Sequence, residues 1–322
     1  LIFLVVFGHM IQPFTDLAGI NTLYKTIYTF SMPAFIFTAG FFAKGSGNIN
    51  YILNLAKKFL LPYIIFQLIY SGYYFLIGKS GWQTSLIEPH WSLWFLLSLF
   101  SWHLLLCLYK KLPPYLGISL SVLVGIMVGY IGDIGHTLSL SRTFVFFPFL
   151  FAGFWLTKEQ VMQVKRKTIQ LIAIWIIVVV AIAIHIAPDF NSGWLLASKS
   201  YDVLGATDYG GFARLLVYIT STLMTISVLA LIPQKRYRFT YLGERTLYVY
   251  LLHGFFIQFF REHDWFSVTG VLDVLALVII SAAIVYVLSS KPILGIWQPF
   301  IEGRMTILKK LFERQEDKGR LV

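Results

Sequence analysis

Apolar residues along the chain fall into ten runs, which are separated by short stretches rich in charged residues, glycine and proline. A helix needs about 20 apolar residues to cross a bilayer, and only a helix satisfies its backbone hydrogen bonds within one membrane segment. The pattern predicts an all-α, polytopic integral membrane protein of about ten transmembrane helices. The predicted spans are 1–14, 23–43, 59–78, 91–109, 115–131, 143–157, 168–187, 213–233, 246–260 and 271–290.

The composition of the 322-residue chain excludes a water-soluble domain. Hydrophobic residues make up 57% of it and charged residues 13%, whereas a soluble domain carries roughly 25% charged residues. A single cysteine, Cys107, excludes an intrachain disulfide framework and a cysteine metal cluster. Because the chain starts at Leu1, inside an apolar run, we expect the first span to be truncated at its N-terminus.

Basic residues lie in alternating connections between the spans. Connections after spans two, four, six and eight, and the tail 291–322, hold most of the Lys and Arg. The positive-inside rule places them in the cytoplasm, so both termini are expected there. Orientation then explains much of the net charge of +11, and no nucleic-acid partner is expected. We assign 1–290 to a transmembrane domain and 291–322 to a basic cytoplasmic tail, which is able to lie on membrane lipid as an interfacial helix.

Two histidines lie deep in predicted spans, each beside a glycine. They are His9, after Gly8, and His253, before Gly254. A neutral imidazole acts as a general base near neutral pH, and a glycine admits a close neighbour. We expect the two histidines to form walls of one polar cavity. Hydrogen bonding between helices is the alternative interpretation.

The longest outer connection, 188–212, combines aromatic side chains such as Trp194 and Tyr201 with carboxylates. This mixture suits sugar rings, which offer apolar faces and hydroxyls together. An aromatic belt at the membrane interface is the alternative.

Taken in order, several stretches resemble acyltransferase family 3, a family of membrane-bound O-acyltransferases, and its fucose 4-O-acetylase-like group. The stretches are LVVFGH at 4–9, FSMPAFIF at 30–37, KKFLLPY at 57–63, WSLWFL at 91–96, SR at 141–142, FPF at 147–149 and TLYVYLLH at 246–253. The resemblance implies a ten-helix fold in the bacterial plasma membrane, a cytoplasmic acyl-CoA donor and an extracytoplasmic acceptor. That acceptor is usually a cell-surface glycan or a lipid-linked sugar. The family's proposed catalytic histidine corresponds to His9, and a basic residue expected about ten positions earlier falls before Leu1.

Under this resemblance, acetyl-CoA is the expected donor, succinyl remains open as the acyl group, and no metal is expected. His9 is the expected base, with a covalent acyl-histidine as the alternative. The candidate donors to the oxyanion are Arg142, His253, Ser31 and Trp94. Arg142 lies at an outer end, where orientation does not explain a positive charge. Asp16 or Glu88 is expected to orient a histidine or bind the acceptor. The candidates for the CoA phosphates are Lys57, Lys58 and Arg245, although orientation also accounts for their charge.

Two other functions stay open at this point. A polysaccharide or lipid-linked sugar exporter should show internal repeats and broken helix pairs, and the chain shows no convincing repeat. A structural or sensory membrane protein is the third class. A separate extracytoplasmic transferase, encoded elsewhere, is a possible partner of the enzyme.

Overall fold

The computed structural model describes residues 1–43, 47–82, 85–132, 137–187 and 190–304. Its α-helices are α1 Ile2–Ile11, α2 Ala18–Phe42, α3 Ile49–Leu55, α4 Leu61–Leu76, α5 Trp94–Tyr109, α6 Pro114–Met127, α7 Leu140–Trp155, α8 Lys158–Val164, α9 Lys167–Ile186, α10 Gly193–Leu196, α11 Gly210–Leu231, α12 Tyr241–Glu244, α13 Thr246–Glu262, α14 Val271–Leu288 and α15 Lys291–Glu302. Every predicted span contains one of these helices.

Five of the helical segments are long and apolar enough to cross a membrane. They are Ile49–Leu76, Thr137–Trp155, Lys167–Ile186, Gly210–Leu231 and Val271–Leu288. The first joins α3 and α4 through a π turn over Ala56–Leu60. The helices make this a multi-pass membrane protein, whereas the count of ten spans and the orientation of the termini stay predictions.

Helix α2 lies at the centre of the bundle and packs against α1, α7, α9 and α11. Its backbone touches that of α7. A Cβ added to Gly40 would lie 2.0 Å from the carbonyl oxygen of Leu150, and one added to Gly153 would lie 2.0 Å from that of Phe37. Small residues therefore set the spacing of these two helices, as is common between membrane helices.

Helix α9 shows the surface that faces lipid. Ala173 is its one buried residue, while Leu171, Trp175 and Ile186 are exposed. An apolar patch of this size is unfavourable in water but matches the hydrocarbon of a bilayer. The exposed apolar face therefore supports a membrane location for the bundle.

The predicted tail begins as part of the bundle. Helix α15 packs against α4, and the ring centroid of Trp297 lies 5.5 Å from that of Phe66. Glu302 accepts a hydrogen bond of 2.6 Å from the Tyr248 hydroxyl. The interfacial helix expected in 291–322 falls partly on 305–322, which lie outside the described residues.

Candidate active site

His9 lies in α1 at a junction of aromatic side chains. Its Nδ1 and the hydroxyl oxygen of Tyr28 in α2 form a hydrogen-bonded pair 3.0 Å apart. Its ring centroid lies 4.4 Å from that of Trp91 and 5.7 Å from that of His253. The two histidines expected to share a cavity are thus neighbours.

Glycines beside both histidines make this junction possible. A Cβ added to Gly8 would lie 2.8 Å from Cε2 of Tyr28, and one added to Gly254 would lie 2.8 Å from Cζ3 of Trp91. Contacts this short are not tolerated, so a larger residue would displace the aromatic ring. Each glycine admits the ring that packs against the neighbouring histidine.

A cavity of about 170 Å³ opens on one side of His9, and we call it the chamber. Its polar and indole-bearing lining residues are His9, Gln12, Tyr28, Ser31, Trp91, Ser92, Trp94 and Arg142. Four of the predicted site residues therefore meet in one space, although they come from α1, α2, α5 and α7.

The guanidinium of Arg142 provides a positive charge in the lining of the chamber. Its Nε donates a hydrogen bond of 3.3 Å to the carbonyl of Leu196, and its guanidinium carbon lies 4.8 Å from the ring centroid of Trp94. Within the described parts of the chain, no carboxylate pairs with it. A guanidinium held in this way can donate to an anion that forms in the chamber.

The hydrogen bonds of His253 indicate which ring nitrogen carries the hydrogen when the ring is neutral. Its Nδ1 lies 3.0 Å from the carbonyl oxygen of Val249 and 2.7 Å from that of Tyr250. Carbonyls only accept, so Nδ1 carries the hydrogen and Nε2 is an acceptor. Nε2 is buried without a partner among the described residues. The neutral ring therefore accepts at Nε2 and donates only when protonated, so the role of His253 as a donor to the oxyanion stays a prediction.

Asp16 and Glu88 are not brought to the chamber. Both side chains are exposed, and neither lines the cavities around His9. The hydroxyl of Tyr28 occupies the place beside His9 for which a carboxylate was expected. Sequence reasoning missed Tyr28, because 19 positions of the chain separate it from His9.

Four cavities follow one another along the same helices. A cavity of about 510 Å³, the lysine-side cavity, is lined by Lys58, His103 and Thr246 among others. It shares Phe35, Phe95 and Tyr250 with a space of about 30 Å³, the passage, which reaches both His9 and His253. The passage adjoins the chamber.

The fourth cavity, the vestibule, measures about 190 Å³ and opens near Arg261. It shares His9 with the chamber. Along α13 the order is Thr246 in the lysine-side cavity, His253 at the passage and Arg261 at the vestibule. His9 thus lies between spaces that reach opposite ends of the bundle.

The family model of the acyltransferase domain of acyltransferase family 3 matches residues 1–290. The chain belongs to acyltransferase family 3. No curated protein and no solved structure matches it. The prediction of a membrane acyltransferase is therefore confirmed, and with it the expectation that the chain is an enzyme.

The three predicted CoA-binding residues of the acyltransferase lie near the lysine-side cavity but have different surroundings. Lys57 and Lys58 both lie in the π turn and are exposed, but Lys58 alone of the two lines the lysine-side cavity. Arg245 donates a hydrogen bond to the carbonyl of Ser289, the C-cap of α14. Its guanidinium also lies over the ring of Tyr241. The geometry favours Lys58 over Arg245 as a free cation.

Arg261 is a second cation of the candidate site, half-buried beside His9, and sequence reasoning left it unassigned. Its guanidinium donates to the carbonyl of His9 at 2.5 Å and to Oε1 of Gln12 at 2.8 Å. It also lies 5.6 Å from the ring centroid of Trp91. The signal was present, because Arg261, like Arg142, is a basic residue at an end where orientation does not explain one.

Trp91 holds a strained backbone in the middle of this site. Its φ of 31° is sparsely populated for a bulky residue. Its ring contacts His9 and also lies 5.2 Å from His253 between centroids. Strain of this kind persists when the surrounding packing fixes the residue, and it is concentrated at functional sites.

Two aromatic residues of the connection 188–212 are buried within it. Trp194 and Tyr201 are 9% and 0% exposed and stack on each other with centroids 5.4 Å apart. They form a small core of their own with Ala206. The prediction that these two rings bind sugar is wrong, because they hold the connection together.

Proposed function

We propose that this acyltransferase moves an acetyl group from cytoplasmic acetyl-CoA to a hydroxyl of an extracytoplasmic cell-surface glycan or lipid-linked sugar. The observation that supports this most is the place of His9, which lines the passage, the chamber and the vestibule. A donor from one end of the bundle and an acceptor from the other can both reach the same imidazole. The positive charge at the lysine side supports the plasma-membrane orientation.

The lysine-side cavity suits the donor. Its volume of about 510 Å³ is within the range of ligand pockets, and Lys58 supplies a cation for the CoA phosphates. Lys57 adds positive potential from solvent, while Arg245 stabilises the end of α14 beside the opening. The thioester end of the donor then points toward the passage.

The passage must open for the thioester to reach His9. At about 30 Å³ it holds no more than a water molecule, and Phe35, Phe95 and Tyr250 stand where it meets the lysine-side cavity. Rotation of these rings admits a slender pantetheine arm. The orphaned Nε2 of His253 accepts a hydrogen bond from an amide N–H of that arm. The family match supports a transferase over an exporter of sugar polymers.

In the transfer step, Nδ1–H of His9 donates to the Tyr28 oxygen, and Nε2 acts as the base. Nε2 takes the proton of the sugar hydroxyl while its oxygen attacks the thioester carbonyl. The guanidinium of Arg142 donates to the oxyanion, with Ser31 and the Trp94 N–H beside it. Collapse breaks the C–S bond, and His9 returns the proton to the CoA thiolate. Transfer is direct, so no separate transferase is needed.

The test uses the purified full chain with radiolabelled acetyl-CoA. His9→Ala is expected to lower acetyl transfer by about 10²–10⁴-fold while calorimetric binding of CoA persists. His185→Ala is the matched control, because His185 is exposed and hydrogen-bonded to Thr22 away from the site. Full transfer activity in His9→Ala contradicts the catalytic assignment. Absence of CoA binding to the wild-type protein contradicts the donor.

A further inference from the structure

The chamber is closed on the side of Arg142 by the connection between α9 and α11. The carbonyl of Ala197 accepts a hydrogen bond of 2.9 Å from the Ser141 hydroxyl, and the carbonyl of Leu196 accepts from Arg142. Leu196 itself lines the chamber. Since Trp194 and Tyr201 bury their rings in the same connection, this part of the chain forms a fixed roof over the chamber.

The vestibule is the other route to His9 among the cavities that the described residues enclose. It lies between α1, α13 and the turn that follows α13. Its lining combines the rings of Phe14, Phe260 and Phe266 with the charged groups of Arg261 and Asp264. Aromatic faces next to a carboxylate match the apolar faces and hydroxyls of a sugar ring.

The carboxylate of Asp264 is accessible to a ligand. Its side chain is exposed, and in the part of the chain that the structure describes it forms no ion pair with Arg261, although both line the vestibule. Arg261 uses its hydrogen bonds on His9 and Gln12 instead. The backbone of Asp264 has a φ of 44°, a conformation that Asp and Asn tolerate better than other side chains.

The geometry points to the vestibule as the acceptor site of the enzyme, where one neutral pyranose ring packs against the phenylalanine rings, hydrogen-bonds through its hydroxyls to Asp264 and presents another hydroxyl to His9. The assignment rests on the proposed function for its acceptor class. The carboxylate of Asp264 favours hydroxyl donors and disfavours an acidic sugar, because the Arg261 guanidinium already donates to His9 and Gln12. The acceptor therefore approaches from the Arg261 side and not through the roof.

Kinetics with Asp264→Asn provide the first test. Asn keeps the backbone conformation and removes the charge. With saturating acetyl-CoA and p-nitrophenyl glycosides of neutral pyranoses as acceptors, the acceptor KM is expected to rise roughly tenfold, and the acetyl-CoA KM to stay unchanged. The control is Asp208→Asn, an exposed carboxylate that lines none of the four cavities. An unchanged acceptor KM in Asp264→Asn, or an equal rise in Asp208→Asn, overturns the assignment.

A second test does not need turnover. In a Cys107→Ser background, Pro13→Cys gives a single thiol at the vestibule and keeps its three phenylalanine rings. Neutral p-nitrophenyl pyranosides are expected to slow its alkylation, and p-nitrophenyl glucuronide to slow it less. No protection by any neutral glycoside overturns the vestibule as a sugar site. Protection without transfer from acetyl-CoA contradicts the proposed donor and leaves the sugar site standing.

Discussion

The hydroxyl of Tyr28 is the hydrogen-bond partner of Nδ1 of His9, and in the proposed mechanism it accepts from Nδ1–H so that Nε2 acts as the base. A histidine base needs one nitrogen held and the other directed at the substrate. In many enzymes a carboxylate holds the first nitrogen, whereas here the partner is a phenol 3.0 Å away. A neutral partner is less costly at membrane depth than a carboxylate, since a charged side chain there costs about 2.5–3.5 kcal/mol on insertion scales.

At the residue scale, Tyr28→Phe is expected to lower kcat by roughly ten- to a hundredfold, because the imidazole loses the hydrogen bond that sets its tautomer. The KM for acetyl-CoA should not change, since Tyr28 does not line the lysine-side cavity. Steady-state kinetics on the purified protein measure both values. Tyr74→Phe is the control, because the Tyr74 hydroxyl is buried without a partner among the described residues. Equal kcat values for the two variants would contradict the role of Tyr28.

At the scale of elements, α1 and α2 carry the site because they approach closely at one point. Gly8 lies under the ring of Tyr28, and Pro33 lies inside α2 directly after Met32, which lines the chamber. The contact between the helices and the hydrogen bond between His9 and Tyr28 therefore depend on each other. Packing of the helix pair, and not the loop between them, positions the base.

Gly8→Ala tests this dependence. The new Cβ at 2.8 Å from Tyr28 forces the ring away from His9, so we expect acetyl transfer to fall at least as far as in Tyr28→Phe. The free energy of unfolding should fall by roughly 1–3 kcal/mol. Gly19→Ala, in the first turn of α2, is the matched control. A Cβ at Gly19 meets nothing within 4 Å, so activity and thermal stability should persist. Wild-type activity in Gly8→Ala would show that the close approach is not required.

At the scale of the whole molecule, one histidine connects two ends of a helix bundle. The lysine-side cavity and the vestibule lie at opposite ends of α13, and the roof closes the third side of the chamber. The proposed transfer between two compartments needs this arrangement, because neither substrate then has to cross the membrane. In that proposal the narrow passage separates the two sides between turnovers.

Cysteine labelling tests the orientation that this arrangement requires. In a Cys107→Ser background, Val203→Cys in the exposed part of the roof should react with a membrane-impermeant thiol reagent in intact cells. Lys57→Cys should react only after the membrane is permeabilised. The opposite pattern would reverse the topology and place the vestibule in the cytoplasm.

The apolar runs and their small residues determined the helical class and the positions of the helices, because burial in lipid constrains each segment by itself. The pairing of His9 with Gly8 and of His253 with Gly254 likewise indicated a shared cavity, since small residues beside buried polar ones mark close contacts. Arg142 was predicted as a site residue because the positive-inside rule does not explain its charge.

Only the tertiary structure decided which partners these residues have. Tyr28 replaces Asp16 and Glu88 beside His9, Arg261 reaches His9 across most of the chain, and backbone carbonyls make His253 an acceptor. Trp194 and Tyr201 are buried in the roof, although the mixture of aromatic and acidic residues in that connection suits a sugar site. These outcomes depend on the packing of helices that are distant in sequence, and no local pattern of residues encodes the direction in which one side chain meets another.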